Sequence, residues 1–322
     1  MVWMPAQVVA QPAPIQDIDE WIEEVQPDWE IPGLAVAVVK DGETVWAQGF
    51  GVRNIDTGEP VDENTIFAIG SSSKAFTSAA LGMLVQEGKI EWSDPLKKHF
   101  PWFELTNEYI ANHVTLRDAL SHRSGYNGSG TLWYGTDLSR REVLEAMRYE
   151  PQANPFRTTF VYNNNMYMAA GEVIPTITGT TWDEFVTQRI FEPLGMSRTV
   201  TSTVPLGEMS NVAEPHLGTG EDLQVVPYRR IDNIGPAGSI NSSVADMAQW
   251  AKLHLGRGMF NGQRLLDEDI VEEMHTPQMA IPLEGRWADM MQPSNLLSYG
   301  FGWFLHDYEG RKVVQHGGNI DG

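Results

Sequence analysis

Cysteine is absent from the 322 residues. That excludes disulfides, thiolate metal ligands and a cysteine nucleophile together, and leaves the redox compartment open. Basic residues are scarce: 22 Lys and Arg stand against 43 Asp and Glu, a formal charge of −21. So acidic a surface repels phosphate backbones and anionic lipid, which argues against nucleic-acid and membrane-surface binding. No apolar run approaches the roughly 20 residues of a membrane span. The eight histidines contain no i,i+4 pair, so neither a metal site nor a cofactor is expected. The G-x-S-x-G elbow of α/β-hydrolases is missing too, since Asn127-Gly-Ser-Gly130 lacks its first glycine.

What is present describes a globular chain with 42% hydrophobic and 20% charged residues, long enough to bury a large core. Residues 15–26 place Ile15, Ile18, Trp21, Ile22 and Val25 on one side of an amphipathic helix. Gly33 to Val39 reads as a strand buried on both faces, Asp41-Gly42 as a hairpin turn, and Thr44 to Val52 as the return strand. Helical patterns then dominate, most clearly at 142–148, 167–178, 182–190 and 244–255, with Gly179 as a C-cap and Pro193-Leu-Gly195 as a turn. Strand character returns from Tyr299 to His306, with a turn at Glu309-Gly310 and a second strand from Arg311 to Gln315. The expected organisation is an N-terminal tail (1–16) and one catalytic unit (17–322). In that unit 17–70 and 295–322 form a sheet subdomain around a mainly helical insertion, 71–294.

Two expectations concern the ends. Met1 to Pro14 resembles the tail of a secretory signal, with small residues around Val8-Val9-Ala10, but lacks a basic start and an apolar centre. The lean is toward the periplasm or secretion, with the cytoplasm as alternative. After Gly322, further strands and a closing helix, or an oligomeric partner, are expected to complete the sheet.

The chemistry concentrates at Ser71-Ser-Ser-Lys74, where a strand-like run, Thr65 to Gly70, meets a helix striped by Phe76, Ala79, Ala80, Met83 and Leu84. Lys74 falls one helical turn from Ser71, and an amine there activates a serine hydroxyl if burial depresses its pKa. Tyr162 and Asn164 sit at the start of another helix. A tyrosine coupled to a lysine has a lowered pKa and relays protons, and an asparagine amide bridges a lysine to a substrate carbonyl. The glycines of His316-Gly-Gly-Asn319 admit a substrate backbone, and the Asn319 and Ser71 amides suit an oxyanion hole. Taken singly, each of these also reads as a turn, and His316 as a surface residue.

Taken together, Ser71-x-x-Lys74, Tyr162-x-Asn164 and His316-x-Gly318 resemble, in order and spacing, the serine β-lactamase and penicillin-binding-protein superfamily, S12-type peptidases included. The stretches 67–74, 115–125, 189–196 and 235–246 look like its class C-like branch of D,D-peptidases, D-aminopeptidases, esterases and β-lactamases. The resemblance runs from about residue 17 to the last residue. It implies an α/β (α+β) fold, an antiparallel sheet flanked by helices with an inserted, mostly helical domain. It also implies that Ser71 is acylated, that Lys74 activates it and that Tyr162 is the partner base or acid. Asn164 would orient Lys74, and His316, in place of the lysine of β-lactamases, would stand beside Tyr162 and the substrate carboxylate. Gly318 and Asn319 would border the oxyanion hole.

The function expected is hydrolysis of a small peptide, D-residue-containing or not, or of an ester or β-lactam. Acyl transfer, carboxylesterase action, weak penicillin binding and a silent binding protein are the alternatives. His122 and Ser72-Ser73 are read as structural, and Met290-Met291 with Trp287 as loop packing. The segments 125–160 and 270–298 are taken as specificity loops.

Overall fold

The computed structural model describes residues 17–322. The signal-like segment and Ile15 lie outside them. Helix α1 (Ile18–Val25) buries Ile22. Strands β1 (Gly33–Lys40) and β2 (Glu43–Asn54) pair antiparallel around Asp41 and Gly42, whose positive φ angles of 52° and 82° make the tight turn that Asp-Gly favours. A short β3 (Glu59–Pro60) adds to β2. The second sheet runs Met279–Ala280, Leu297–Tyr299, Phe304–Tyr308, Arg311–Gln315 in spatial order.

Three expectations are corrected here. The N-terminal and C-terminal hairpins form separate sheets, and no ladder joins them among the described residues. Accordingly β1 is an edge strand, half-buried along Gly33–Val39 rather than sunk on both faces, with helix Val244–Leu255 packed against it. Tyr299 to His306 is not one strand. It breaks at 300–303 because Gly300 and Gly302 let this loop run close to other backbone. A Cβ on Gly302 would stand 2.7 Å from Ala75 Cα, and one on Gly300 2.2 Å from Met274 O.

Strand β4 (Phe67–Ala68) pairs with Asn241–Ser242 and leads through a 3-10 turn, Gly70–Ser72, into helix α2 (Ser73–Gln86). That helix carries no single apolar stripe; Ser73 to Leu84 is buried all round. Phe76 stacks on Trp250 at 4.0 Å and meets Phe191 edge-on. Thr77 Oγ1 donates to Pro236 O (2.6 Å) and accepts from Trp182 Nε1 (3.0 Å). A helix enclosed in this way cannot slide or tilt, so the side chains of its first turn have fixed positions. The expected helices 142–148, 167–178 and 182–190 appear as Arg140–Ala146, Asn164–Gly171 with Val173–Thr178, and Trp182–Val186 with a π-turn to Phe191. Gly179 (φ 75°) caps Val173–Thr178, and Gly195 (φ 70°) caps the short helix Glu192–Leu194 that follows Phe191.

Candidate active site

Ser71 occupies the 3-10 turn just ahead of α2. Gly70 holds φ at 50°, and a Cβ there would come within 2.7 Å of Asn319 N. Gly318 is tighter still. Its Cβ would stand 1.9 Å from Ile69 O and 2.9 Å from Ser71 N. The Gly318–Asn319 backbone therefore lies directly on the Ile69–Ser71 backbone, and only glycine permits the approach. Ser72 Oγ fastens the layers by donating to His316 O at 3.0 Å. Ser73 Oγ accepts from Ile240 N at 3.1 Å, so both neighbouring serines are structural.

Lys74 is fully buried. Its Nζ lies 2.7 Å from Asn164 Oδ1, 2.7 Å from Ala237 O and 3.1 Å from Ser71 Oγ. Burial drives its pKa well below the usual lysine value, and no carboxylate stands by to oppose the shift. Asn164 opens helix Asn164–Gly171, whose N-cap Asn163 accepts from Met166 N at 3.0 Å. Asn163 N in turn donates to His122 Nδ1 (3.0 Å), and Asn163 Nδ2 to Tyr126 O (2.8 Å). The Tyr162–Asn164 loop is thus set by a buried imidazole with φ at 57°. His122 is structural, as read from the sequence, and is held neutral by burial.

The Tyr162 ring lies against His122 at 4.2 Å between centroids, with Lys74 Nζ 4.8 Å from its centre. Its hydroxyl departs from expectation. Burial raises the pKa, and the Ser71 contact lowers it without cancelling that effect. The lowered value expected from a lysine ammonium fails because Lys74, buried, does not keep its charge.

His316 follows strand Arg311–Gln315, its ring 6.2 Å from that of Tyr162. Nε2 lies 2.8 Å from Tyr299 Oη and Nδ1 2.6 Å from Gly317 O. Burial brings its pKa down to about 3. It is thus a neutral imidazole, not a cation ready for a carboxylate. Sequence reasoning missed Tyr299 and Ala237. Tyr299 carried the signal of an ordinary strand aromatic, and Ala237 acts through its carbonyl, which no side chain advertises.

Trp287, 5.4 Å from Phe304 and 6.3 Å from Phe160, packs as expected, as does Met291, whereas Met290 is exposed. Among the described residues no group of His, Asp and Glu is placed to hold a metal, and no helix is long and apolar enough to cross a membrane.

A serine touched by a desolvated lysine, beside a tyrosine and a glycine-lined strand end, defines a recognisable constellation, and a model of the beta-lactamase family matches residues 18–322. The chain belongs to the beta-lactamase family. Its mixed α/β architecture is the fold shared by beta-lactamases and penicillin-binding proteins. Similar family members include unguisins hydrolase from Aspergillus violaceofuscus (strain CBS 115571), 30% identical over 95% of this chain and 57% of that protein. Penicillin-binding protein 4 from Amycolatopsis lactamdurans is 29% identical over 94% of this chain and 78% of that one. The chain therefore spans little more than half of the first relative. An octameric penicillin-binding protein homologue from Pyrococcus abyssi has a TM-score of 0.78 at 26% identity, over 94% of this chain and 68% of that one. D-amino acid amidase from Ochrobactrum anthropi SV3, complexed with L-phenylalanine amide, has a TM-score of 0.76 over 95% and 85%; at 23% identity that likeness is one of fold.

Proposed function

We propose that this protein is a serine hydrolase that forms an acyl-enzyme on Ser71 and cleaves a small amide or ester. The observation that carries the reading is the environment of Lys74 Nζ. Two oxygens that can only accept, Asn164 Oδ1 and Ala237 O, lie 2.7 Å away. A neutral amine has two hydrogens and one lone pair. With the hydrogens directed at those oxygens, the lone pair is left for the Ser71 hydroxyl at 3.1 Å. Burial supplies the neutrality.

The steps follow from these roles. Lys74 takes the Ser71 proton as Oγ attacks the substrate carbonyl carbon. The carbonyl oxygen becomes an oxyanion facing the Ser71 and Asn319 amides, the two backbone layers that Gly318 brings together. Collapse breaks the C–N or C–O bond, and Tyr162, kept protonated by burial, gives its proton to the leaving group. Lys74 then returns the serine proton to the Tyr162 oxygen, 4.8 Å separating Nζ from the ring centre. Water attacks the acyl-enzyme by the reverse route and frees Ser71. Asn164 holds Lys74 in line and offers its amide nitrogen to the substrate.

Incubation with a fluorophosphonate, and turnover of a panel of D- and L-peptides, p-nitrophenyl esters and a chromogenic cephalosporin, tests the reading. Label on Ser71 and turnover that Ser71→Ala abolishes support it. Undiminished turnover by Ser71→Ala overturns it. Product ratios with an added alcohol or amine separate hydrolysis from acyl transfer.

A further inference from the structure

We propose that Tyr299 locks His316 into one neutral tautomer, so that the adjoining subsite takes substrates ending in an amide or ester and turns away those ending in a free carboxylate. This deepens the serine-hydrolase reading and rests on it. Tyr299 ends strand Leu297–Tyr299 and is fully buried, its ring 4.8 Å from those of Phe304 and His122 and 5.5 Å from that of Phe160. Its hydroxyl lies 2.8 Å from His316 Nε2, with the Tyr167 hydroxyl as a further neighbour.

The proton positions follow by elimination. Gly317 O only accepts, so Nδ1 of His316, 2.6 Å from it, carries a hydrogen. The imidazole is neutral at working pH, so Nε2 is a bare lone pair. Tyr299, whose pKa burial raises well above the ordinary tyrosine value, is protonated and donates to it. Both nitrogens of His316 are then engaged, and the ring offers substrate neither a charge nor a free N–H.

Among the described residues no other cation takes over. Among them the titratable groups around His316 are Lys74, His122, Tyr162 and Tyr299, and burial disfavours the charged form of each. Arg229, where the segment after His316 passes, binds Asp321 at 2.8 Å and lies 4.7 Å over the Tyr134 ring. A carboxylate needs a charged partner to offset its dehydration, and the formal charge of −21 adds a repulsive field. A carboxamide or ester carries no such cost.

Two readouts test the proposal. In long-range 1H–15N spectra of histidine-labelled protein at pH 7, with His316→Gln for assignment, His316 is expected protonated at Nδ1 and bare at Nε2. Tyr299→Phe, which keeps the ring, is expected to release Nε2 and raise the imidazole pKa, since it removes a bond made only to the neutral form. In parallel, matched peptides ending in carboxamide or free acid are compared by kcat/KM. A preference for the amide of about ten-fold or more is expected in the unmodified protein, shrinking or reversing in His316→Lys. A proton on Nε2, a charged His316 at pH 7, or equal or better use of the free acid overturns the proposal. Fluorophosphonate labelling of Ser71 separates the two levels. Labelled Ser71 with free-acid preference contradicts only the subsite, unlabelled Ser71 contradicts the hydrolase reading, and the tautomer readout stands in either case.

Discussion

Lys74 Nζ and Asn164 Oδ1 lie 2.7 Å apart although ninety residues separate them in the chain. The contact joins the first turn of α2 to the first turn of helix Asn164–Gly171, and it completes a cage of acceptors around an amine that water does not reach. An ammonium would be costly there; a neutral amine is at home.

The pH dependence of acylation follows from that cage. The working form of Lys74 is the neutral amine, so the rate rises with pH through a depressed pKa and is complete far below lysine's usual 10.5. The kcat/KM profile is expected to plateau well before pH 10.5, and Lys74→Ala to lower kcat about 10³-fold. A rate that climbs steadily to pH 10 would mean that Lys74 is an ordinary charged lysine.

Gly318→Ala places a Cβ 1.9 Å from Ile69 O and 2.9 Å from Ser71 N. The two layers must part, and the oxyanion hole with them. A fall in kcat of about 10²-fold or more is expected with KM less affected, and circular dichroism is expected to show the fold intact. Unchanged kcat would remove Asn319 from the hole.

Asp118 is fully buried and binds Arg123 Nε at 2.6 Å, Arg157 at 2.8 Å and the Thr115 backbone N–H at 3.0 Å. It ties helix Leu116–Leu120 to both flanks of the segment running from His122 to Tyr162. Asp118→Ala leaves two guanidinium groups without their partner and is expected to cost about 3 kcal/mol in urea unfolding. These bonds depress the carboxyl pKa. Its stabilisation is therefore complete above the ordinary value of 3.8 and lost as pH falls through the lower folded value. A loss under about 0.5 kcal/mol, the range of an ordinary surface change, would contradict this.

His254 Nδ1 and His275 Nε2 lie 3.1 Å apart, packed against Trp303, with Trp250 on His254. Burial brings His275 down to about 4 from the ordinary 6.5 and carries His254 well below it. Between those values the unfolded chain binds protons that the folded chain does not, so stability rises with pH across this window and falls on acidification. His122 and His316 push the same way. The urea midpoint is expected to be lower at pH 5 than at pH 7.5, with a smaller drop in His275→Gln. A midpoint equal at both pH values would show that the pair protonates freely when folded.

Elements governed by short-range chemistry were legible in the sequence. Asp41-Gly42 and Glu309-Gly310 make their turns, Val244–Leu255 is a helix, and Gly179 caps another. The spacing of Ser71 and Lys74 likewise translated directly into contact. What failed to show depends on partners distant in sequence. Whether β1 is central or at an edge is decided by strand pairing, not by its own apolar run. Gly300 and Gly302 looked like small residues alternating in a strand, whereas their purpose lies in the backbone they approach. Charge states were hidden for the same reason: Tyr162 and His316 take theirs from burial, which no local pattern encodes.

The most direct test of Ser71 as nucleophile and Lys74 as its neutral base is intact-protein mass spectrometry with peptide mapping after a brief pulse of a slowly released acyl substrate. The expected result is one acyl group on Ser71, absent in Ser71→Ala and strongly delayed in Lys74→Ala. Turnover with Ser71 unmodified, or acylation of equal speed in Lys74→Ala, would contradict it.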